Sequence, residues 1–343
     1  MSLINKLSAR LQNHPKRVVF PEGEDLRILK AARKFATRKL GVPVLLGNRE
    51  IIEKNAREND ISLEGIRLME IEKADDYNEL KIILHGMPKF RQLSEESLEQ
   101  FLKTPGYFGT LMLATGRVDA LVSGATKLSA SSLRPVFQII SLQQGVKTAS
   151  SMTIVESDNQ NLGTNGVLFL ADCGVIPEPT EVQLSEIAIT TAKLAEHLTG
   201  VVSKVALLSF VSKLQVAKTQ SVLKVKAATA LAQQLAREQA YEVYIDGELQ
   251  ADAALVPEAA AIRGINSSVA GKANVLIFPD LNSGNIASKF ISIMGCVRTY
   301  GQILTGLVKP VAEIPRGASA EDIFGAAVIV AAQAVDKKYL YAE

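Results

Sequence analysis

The feature that most constrains this chain is a repeating alternation: a short apolar run, a polar or glycine-rich turn, then a stretch with helical spacing. Residues 17–20 form such a run, closed by Pro21 and Gly23, and Asp25 is placed to cap a helix to about Leu40, stopped by Gly41. Residues 42–47 are the next strand, Asn48 opens another helix, and 66–71 are a third strand. Two or three helices later comes 120–124, followed by 204–210, 241–246 and 274–280. Strands that are apolar throughout are buried on both faces, as in parallel sheets covered by helices. Two runs break the rhythm. Residues 148–155 and 167–171 are separated by a turn-prone segment with no room for a helix, so they are expected to pair antiparallel. The expected fold class is α/β, with two αβα domains, mainly parallel sheets and a cleft between them.

Composition narrows the function. At 343 residues the chain has room for about two domains of roughly 150 residues each. Hydrophobic residues at 47 % and charged residues at 22 % exclude a disordered or fibrous chain. Thirty-eight basic against 36 acidic residues leave a net charge of +2, with no drive toward nucleic acid or an anionic membrane. Aromatic residues are 5 % and Trp is absent, so stacking platforms for single strands are scarce. Two cysteines, Cys173 and Cys296, make no disulfide framework and fit a reducing cytoplasm. His14, His85 and His197 are scattered, and no metal site is expected. Leu3, Ile4, Leu7 and Leu11 have the spacing of an amphipathic helix rather than of a secretory signal. The longest apolar stretch, near 325–335, is broken by Gln333 and too short to cross a bilayer.

Several motifs are absent. Gly271-Lys272 is followed by Ala273, so there is no phosphate-binding loop of the triphosphatase kind, and neither a G-x-G-x-x-G nor a G-x-S-x-G follows a strand. Open α/β sheets bind ligands at the carboxyl ends of their strands, so the loops there carry the candidates. Residues 123–135 hold Ser123, Gly124, Ser129 and Arg134: free backbone N–H groups, hydroxyls and a guanidinium for an oxyanion, or else a plain strand-to-helix turn with a surface Arg. Residues 278–286 offer Asn282 or Ser283 as a helix cap and Gly284 for close backbone approach, and capping alone is the favoured reading. Asp246, Glu248 and Asp252 could bind a hard cation, but a solvated turn with first-turn acids is favoured. Ser319 and Asp322 fit a capping box, and Arg316 just ahead of it adds a cation that capping does not need.

Taken in order, residues 17–23, 118–125 with 133–135, 171–173, 207–210, 246–250, 271–274, 278–286, 306–310 and Arg316-Gly317 resemble the phosphotransacetylase, or phosphate acetyl/butyryltransferase, family across 17–335. The resemblance implies reversible acyl exchange between coenzyme A and inorganic phosphate, with acyl-CoA, acyl phosphate and phosphate as small-molecule partners. Coenzyme A is then a substrate, and no cofactor is bound permanently. By position, Asp322 is the base toward the thiol, and Arg316 and Arg134 hold phosphate, with Ser129, Ser123 and Gly124 beside them. Lys213, Ser283, Gly284 and Asn285 become candidate coenzyme A contacts. A cytoplasmic homodimer is implied, built from a first domain of 1–147 plus 301–343 and a second of 148–300. Four stretches depart from the family pattern. Pro315 stands where a serine is expected. Leu214-Gln215-Val216 replaces small residues after Lys213, and Lys127-Leu128-Ser129 replaces His-Ser-Thr. A further arginine falls near Pro88 and Lys89, where Lys89 or Arg91 could substitute. These departures keep open an altered acyl preference (butyryl or another), a different coenzyme A- or acyl phosphate-linked transfer, or a weak homologue acting as a binding partner.

Overall fold

A computed structural model describes residues 2–213 and 219–336. It begins with α1 (Leu3–Asn13), capped by Ser2, whose apolar face reads Leu3, Ile4, Leu7 and Leu11 and is buried. There follow β1 (Lys16–Phe20), α2 (Leu26–Thr37), β2 (Gly41–Leu46), α3 (Arg49–Glu58) and β3 (Arg67–Met69). Asp25 and Asn48 cap α2 and α3 as their positions suggested. The third strand is shorter than 66–71, because the chain turns into a single 3-10 turn at Ile71–Lys73. Three helices, α4 (Tyr77–Gly86), α5 (Glu95–Lys103) and α6 (Pro105–Ala114), lead to β4 (Ala120–Ser123) and α7 (Ser129–Ile139).

Next come β5 (Ser150–Ser157), β6 (Val167–Ala171), α8 (Glu181–Thr199), β7 (Lys204–Leu208), α9 (Gln220–Glu238) and β8 (Tyr244–Leu249). Then follow α10 (Ala251–Leu255), α11 (Pro257–Ile262), β9 (Val275–Ile277), α12 (Leu281–Met294), β10 (Val297–Thr305), β11 (Val311–Glu313) and α13 (Ala320–Gln333). None of the described helices is long and apolar enough to cross a membrane.

The chain divides into two compact units, Met1–Ser141 with Leu307–Glu343, and Leu142–Gly306. The first unit has five parallel strands in the order β3-β2-β1-β4-β11. Its helix α13 is buried along nearly its whole length, which explains the all-apolar stretch in the sequence. The second unit orders its strands β10-β5-β6-β9-β7-β8. Strands β5 and β6 pair antiparallel, Met152 opposite Ala171, as the missing helix between them required. Strand β10 also runs antiparallel to β5, while β6, β9, β7 and β8 are parallel.

Two local expectations need correction. The acids Asp246 and Glu248 are not on a solvated turn: β8 runs on through them to Leu249, and both are buried. Their strand pairs with β7, Ala206 opposite Asp246, and the Lys213 ammonium neutralises the Asp246 carboxylate. Asp252 does stand in the first turn of α10, where Arg263 pairs with it at 2.6 Å. The cap of α12 is Asp280, not Asn282 or Ser283: its Oδ1 accepts the Ser283 N–H at 2.8 Å. A carboxylate two positions before Asn282 takes the capping role because it can reach the third amide of the helix.

The two cysteines are unpaired. Burial pushes the Cys173 thiol up to about 12, while Cys296 is exposed. A native chain should therefore give up one thiol per chain to a chromogenic disulfide reagent at pH 8, and two after denaturation. Two rapid equivalents in the native state would contradict this packing.

Candidate functional site

The site is built at the carboxyl edge of the first unit's sheet. Strands β4 and β11 are neighbours, Ser123 opposite Glu313, so the loops that leave them lie side by side. The Ile314 N–H donates to Ser123 O at 2.7 Å, and a Cβ on Gly124 would meet Ile314 O at 2.7 Å. With φ at +112°, Gly124 is also in a region that L side chains rarely adopt, so glycine is required here twice over.

The β4–α7 loop carries Thr126, Lys127, Leu128 and Ser129, all exposed. The cap position of α7 is Leu128, which has no acceptor to offer, so the first amides of the helix lack a side-chain cap. Ser129 is the first residue of the helix, and Arg134 follows one and a half turns on, exposed. Its positive charge partly offsets the burial that raises the hydroxyl of Tyr107 on α6.

The β11–α13 loop turns at 315–318, where the Ala318 N–H donates to Pro315 O at 2.9 Å, with Arg316 and Gly317 between and both exposed. The capping box then forms as read. Ser319 Oγ accepts the Asp322 N–H at 3.2 Å, and Asp322 Oδ2 accepts the Ser319 N–H at 2.8 Å and its hydroxyl at 2.8 Å. Both of these bonds fall on Oδ2; Oδ1 carries none among the described residues.

Glu22, at the carboxyl end of β1, lines a cavity of about 590 Å³ together with Thr104, Ser123, Thr126, Lys127 and Ser132. That is ample for a small ligand. Glu22 Oε1 accepts the Gly124 N–H at 2.9 Å and the Ser123 hydroxyl at 3.2 Å. Ser123 and Gly124, expected as phosphate contacts, therefore spend these donors on Glu22 and shape the loop. Glu22 Oε2 is buried without a hydrogen-bond partner among the described residues. Burial raises the Glu22 carboxyl, and the two donors and the charge of Lys127 offset only part of that. A raised folded-state value makes the folded chain hold a proton that the unfolded chain releases above about pH 4.3, so stability falls as pH rises from there to the folded value. Glu22→Gln keeps an acceptor toward Gly124 and Ser123 but removes the titration. Its melting temperature should gain on the parent's as pH is raised from about 4.3 to the folded value, then run parallel. A constant difference across that range would contradict the assignment.

Of the residues named from sequence, Ser123, Gly124, Ser129, Arg316 and Asp322 lie on or beside the two loops at this edge, and Arg134 follows in the second turn of α7; all six belong to the first unit. Lys213, Ser283, Gly284 and Asn285 belong to the second unit. There Lys213 pairs with Asp246, a Cβ on Gly284 would meet Asp172 O at 2.1 Å, and Asn285 Nδ2 donates to Cys173 O at 3.0 Å. The departure at 214–216 lies outside the described residues. Lys89 Nζ donates to Phe137 O at 2.7 Å and Arg91 Nη2 to Gly86 O at 3.1 Å, so each braces a helix end.

Two residues were missed. Glu22 could have been noticed as an acid at the carboxyl end of the first strand. Arg27 stands in the first turn of α2, where a cation opposes the helix dipole and so calls for another reason to be there.

Comparisons with known proteins bear on the whole chain. The model of the phosphate acetyl/butaryl transferase family matches residues 2–331. A phosphate acetyltransferase of Acetivibrio thermocellus is 42 % identical over 97 % of this chain and 98 % of its own. The structure of a phosphotransacetylase from Staphylococcus aureus superposes with a TM-score of 0.86 at 35 % identity, covering 97 % of this chain and 98 % of that one. A 4-hydroxythreonine-4-phosphate dehydrogenase from Klebsiella pneumoniae shares the fold alone, with a TM-score of 0.50 at 10 % identity over 94 % of this chain and 100 % of that one. The sheet, the two loops and a match over nearly every residue lead to one conclusion: this chain is an acyltransferase that belongs to the phosphate acetyl/butaryl transferase family.

Proposed function

We propose that this enzyme moves an acetyl group reversibly between coenzyme A and inorganic phosphate, with acetyl phosphate as the second acyl carrier. The observation that carries the reading is that an exposed guanidinium, Arg316, on the β11–α13 loop is followed in the first turn of α13 by a carboxylate, Asp322, whose Oδ1 carries no hydrogen bond among the described residues. In the direction of thioester synthesis, Asp322 Oδ1 takes the thiol proton of coenzyme A. The thiolate attacks the acetyl carbon, the bond from that carbon to the phosphate oxygen breaks, and phosphate leaves with the electron pair. Arg316 and Arg134 hold it through the forked, permanently charged donors that suit a phosphate dianion, with Ser129 beside them. In reverse, phosphate attacks the thioester and the departing thiolate recovers its proton from Asp322. Effective positioning of thiol and carboxylate matters as much as basicity, because a free thiol titrates near about 8.5. Lys213, with Ser283, Gly284 and Asn285, is the proposed coenzyme A-contacting set.

Pro315 favours a second reading, a shifted acyl preference, since it cannot donate the hydrogen bond that a serine would offer at that position. Thioester formation from coenzyme A with acetyl phosphate and with butyryl phosphate separates the possibilities. Faster turnover of acetyl phosphate supports the first reading, faster turnover of butyryl phosphate the second, and no thioester from either would contradict both.

The enzyme is further proposed to work as a cytoplasmic homodimer. Support for a second copy comes from α12, where Ile286, Phe290, Ile293 and Met294 are 55, 63, 80 and 77 % exposed, an apolar stripe at helical spacing. Phe290→Asp combined with Ile293→Asp should halve the mass seen by sedimentation while keeping helical content. An unchanged dimer would remove α12 from the interface. The unpaired cysteines support a reducing compartment.

A further inference from the structure

Arg27 has no role in any reading of the chemistry, yet all five of its guanidinium donors are used. Nε donates to Asp25 Oδ1 at 3.1 Å and Nη2 to Asp25 Oδ2 at 2.9 Å, a bidentate pair that fixes the plane of the guanidinium. The remaining Nη2 proton goes to Ala125 O at 2.8 Å. The two Nη1 protons go to Arg316 O at 2.6 Å and to Ala318 O at 3.0 Å. A guanidinium has five N–H donors and no more. Two are anchored on its own helix cap, one on the β4–α7 loop and two on the β11–α13 loop.

The Ala318 contact reaches further than its neighbour. A trans peptide unit is planar, with its C=O and N–H pointing in opposite directions. Arg27 takes the oxygen of the Ala318–Ser319 unit, and the N–H of that same unit donates to Asp322 Oδ2 at 2.8 Å. One rigid peptide therefore stands between the Arg27 guanidinium and the Asp322 carboxylate. On the other side, the Arg316 carbonyl is gripped directly, which sets where the Arg316 side chain leaves the backbone. Burial pushes the Asp25 carboxyl up, but the hydrogen bonds and charge of Arg27 outweigh it and hold it below the usual carboxylate range, so the anchoring acid stays charged.

We infer that Arg27 is a positioning residue: its guanidinium locks the 315–319 loop to the β4–α7 loop and so places Arg316 and Asp322 for the acyl transfer. The inference rests on the reading that Arg316 binds phosphate and Asp322 acts as base. Lysine cannot replace it, because one ammonium on a flexible stem cannot reach two loops and a carboxylate in fixed directions. A loop displaced by about 1 Å can cost about a hundredfold in rate.

The test uses the full chain with Arg27→Lys, Arg316→Ala and the double variant, and Arg27→Gln in case the lysine chain does not fold. Arg27→Lys should raise the KM for acetyl phosphate about tenfold or more, leave the KM for coenzyme A within about twofold, and add nothing further on the Arg316→Ala background. Hydrogen exchange should accelerate at the amides of 124–127 and 316–319 and stay as in the parent across the sheet. A parental KM for acetyl phosphate, an effect that multiplies with that of Arg316→Ala, or an equal loss toward both substrates would overturn the inference. If Arg316→Ala itself keeps a parental KM for acetyl phosphate, the phosphate reading has failed. Exchange at 316–319 then decides alone, faster in support of the lock and unchanged against it.

Discussion

Asp322→Asn should lower kcat by roughly 10²–10⁴ while its melting temperature stays close to the parent's, since that is the range that loss of a general base costs. The two halves of this expectation come from different atoms of one side chain. Oδ2 serves the capping box, accepting from the Ser319 amide and hydroxyl. An asparagine oxygen can accept the same amide, so most of the cap survives. Oδ1 is the atom proposed to take the thiol proton, and the asparagine amide cannot take one. Asp322→Ala confuses the two, because a lost cap interaction alone is worth on the order of 1 kcal/mol. If Asp322→Asn keeps half or more of the parental kcat under saturating substrates, the residue is a helix cap and nothing more.

Arg316→Ala should raise the KM for acetyl phosphate strongly. Truncating one partner of a charged, hydrogen-bonded pair in a binding site typically costs about 2–5 kcal/mol, from roughly thirtyfold to several thousandfold. Affinity for coenzyme A should hardly change. The folded chain should be affected little, because the side chain is exposed at the turn and such surface substitutions usually lie within about 0.5 kcal/mol. The backbone carbonyl that Arg27 grips is untouched by the substitution. Equal losses of affinity for phosphate and coenzyme A, read from initial-rate kinetics with each substrate varied, would count against the assignment.

What the sequence made legible follows from how local each signal is. Strands β4 and β9 are buried throughout, and β1, β2 and β7 are buried from their second or third residue on, so each shows an apolar run that can be read without knowing its neighbours. Strand β8 was cut short because Asp246 and Glu248 look like turn residues. The charge that makes Asp246 tolerable in a sheet, Lys213, lies 33 positions upstream, beyond any local window. Strand β10 went unread because Gly301 and Gln302 interrupt its alternation, and the ladder itself shifts register between Tyr300 and Ile303. The site shows the same division. The Ser319–Asp322 box spans four residues and was visible in the letters, and so was the unneeded cation at Arg316. Arg27 acts on acceptors 98, 289 and 291 positions away, a convergence that only the sheet order brings about. Glu22 meets Ser123 and Gly124 from 101 and 102 positions away for the same reason.

The central claim is acyl exchange with inorganic phosphate, and arsenate tests it most directly. Arsenate enters a phosphate site as an isostere, but its acyl ester hydrolyses spontaneously, so the reaction runs to completion and releases a free thiol. With a panel of short acyl-CoA thioesters, the parent chain should release coenzyme A only when arsenate is present. Acetyl-CoA should be the best substrate, with inhibition by added phosphate and loss of the activity in Arg316→Ala. No arsenate-dependent thiol release from acetyl-CoA or from any other short acyl-CoA would contradict the claim.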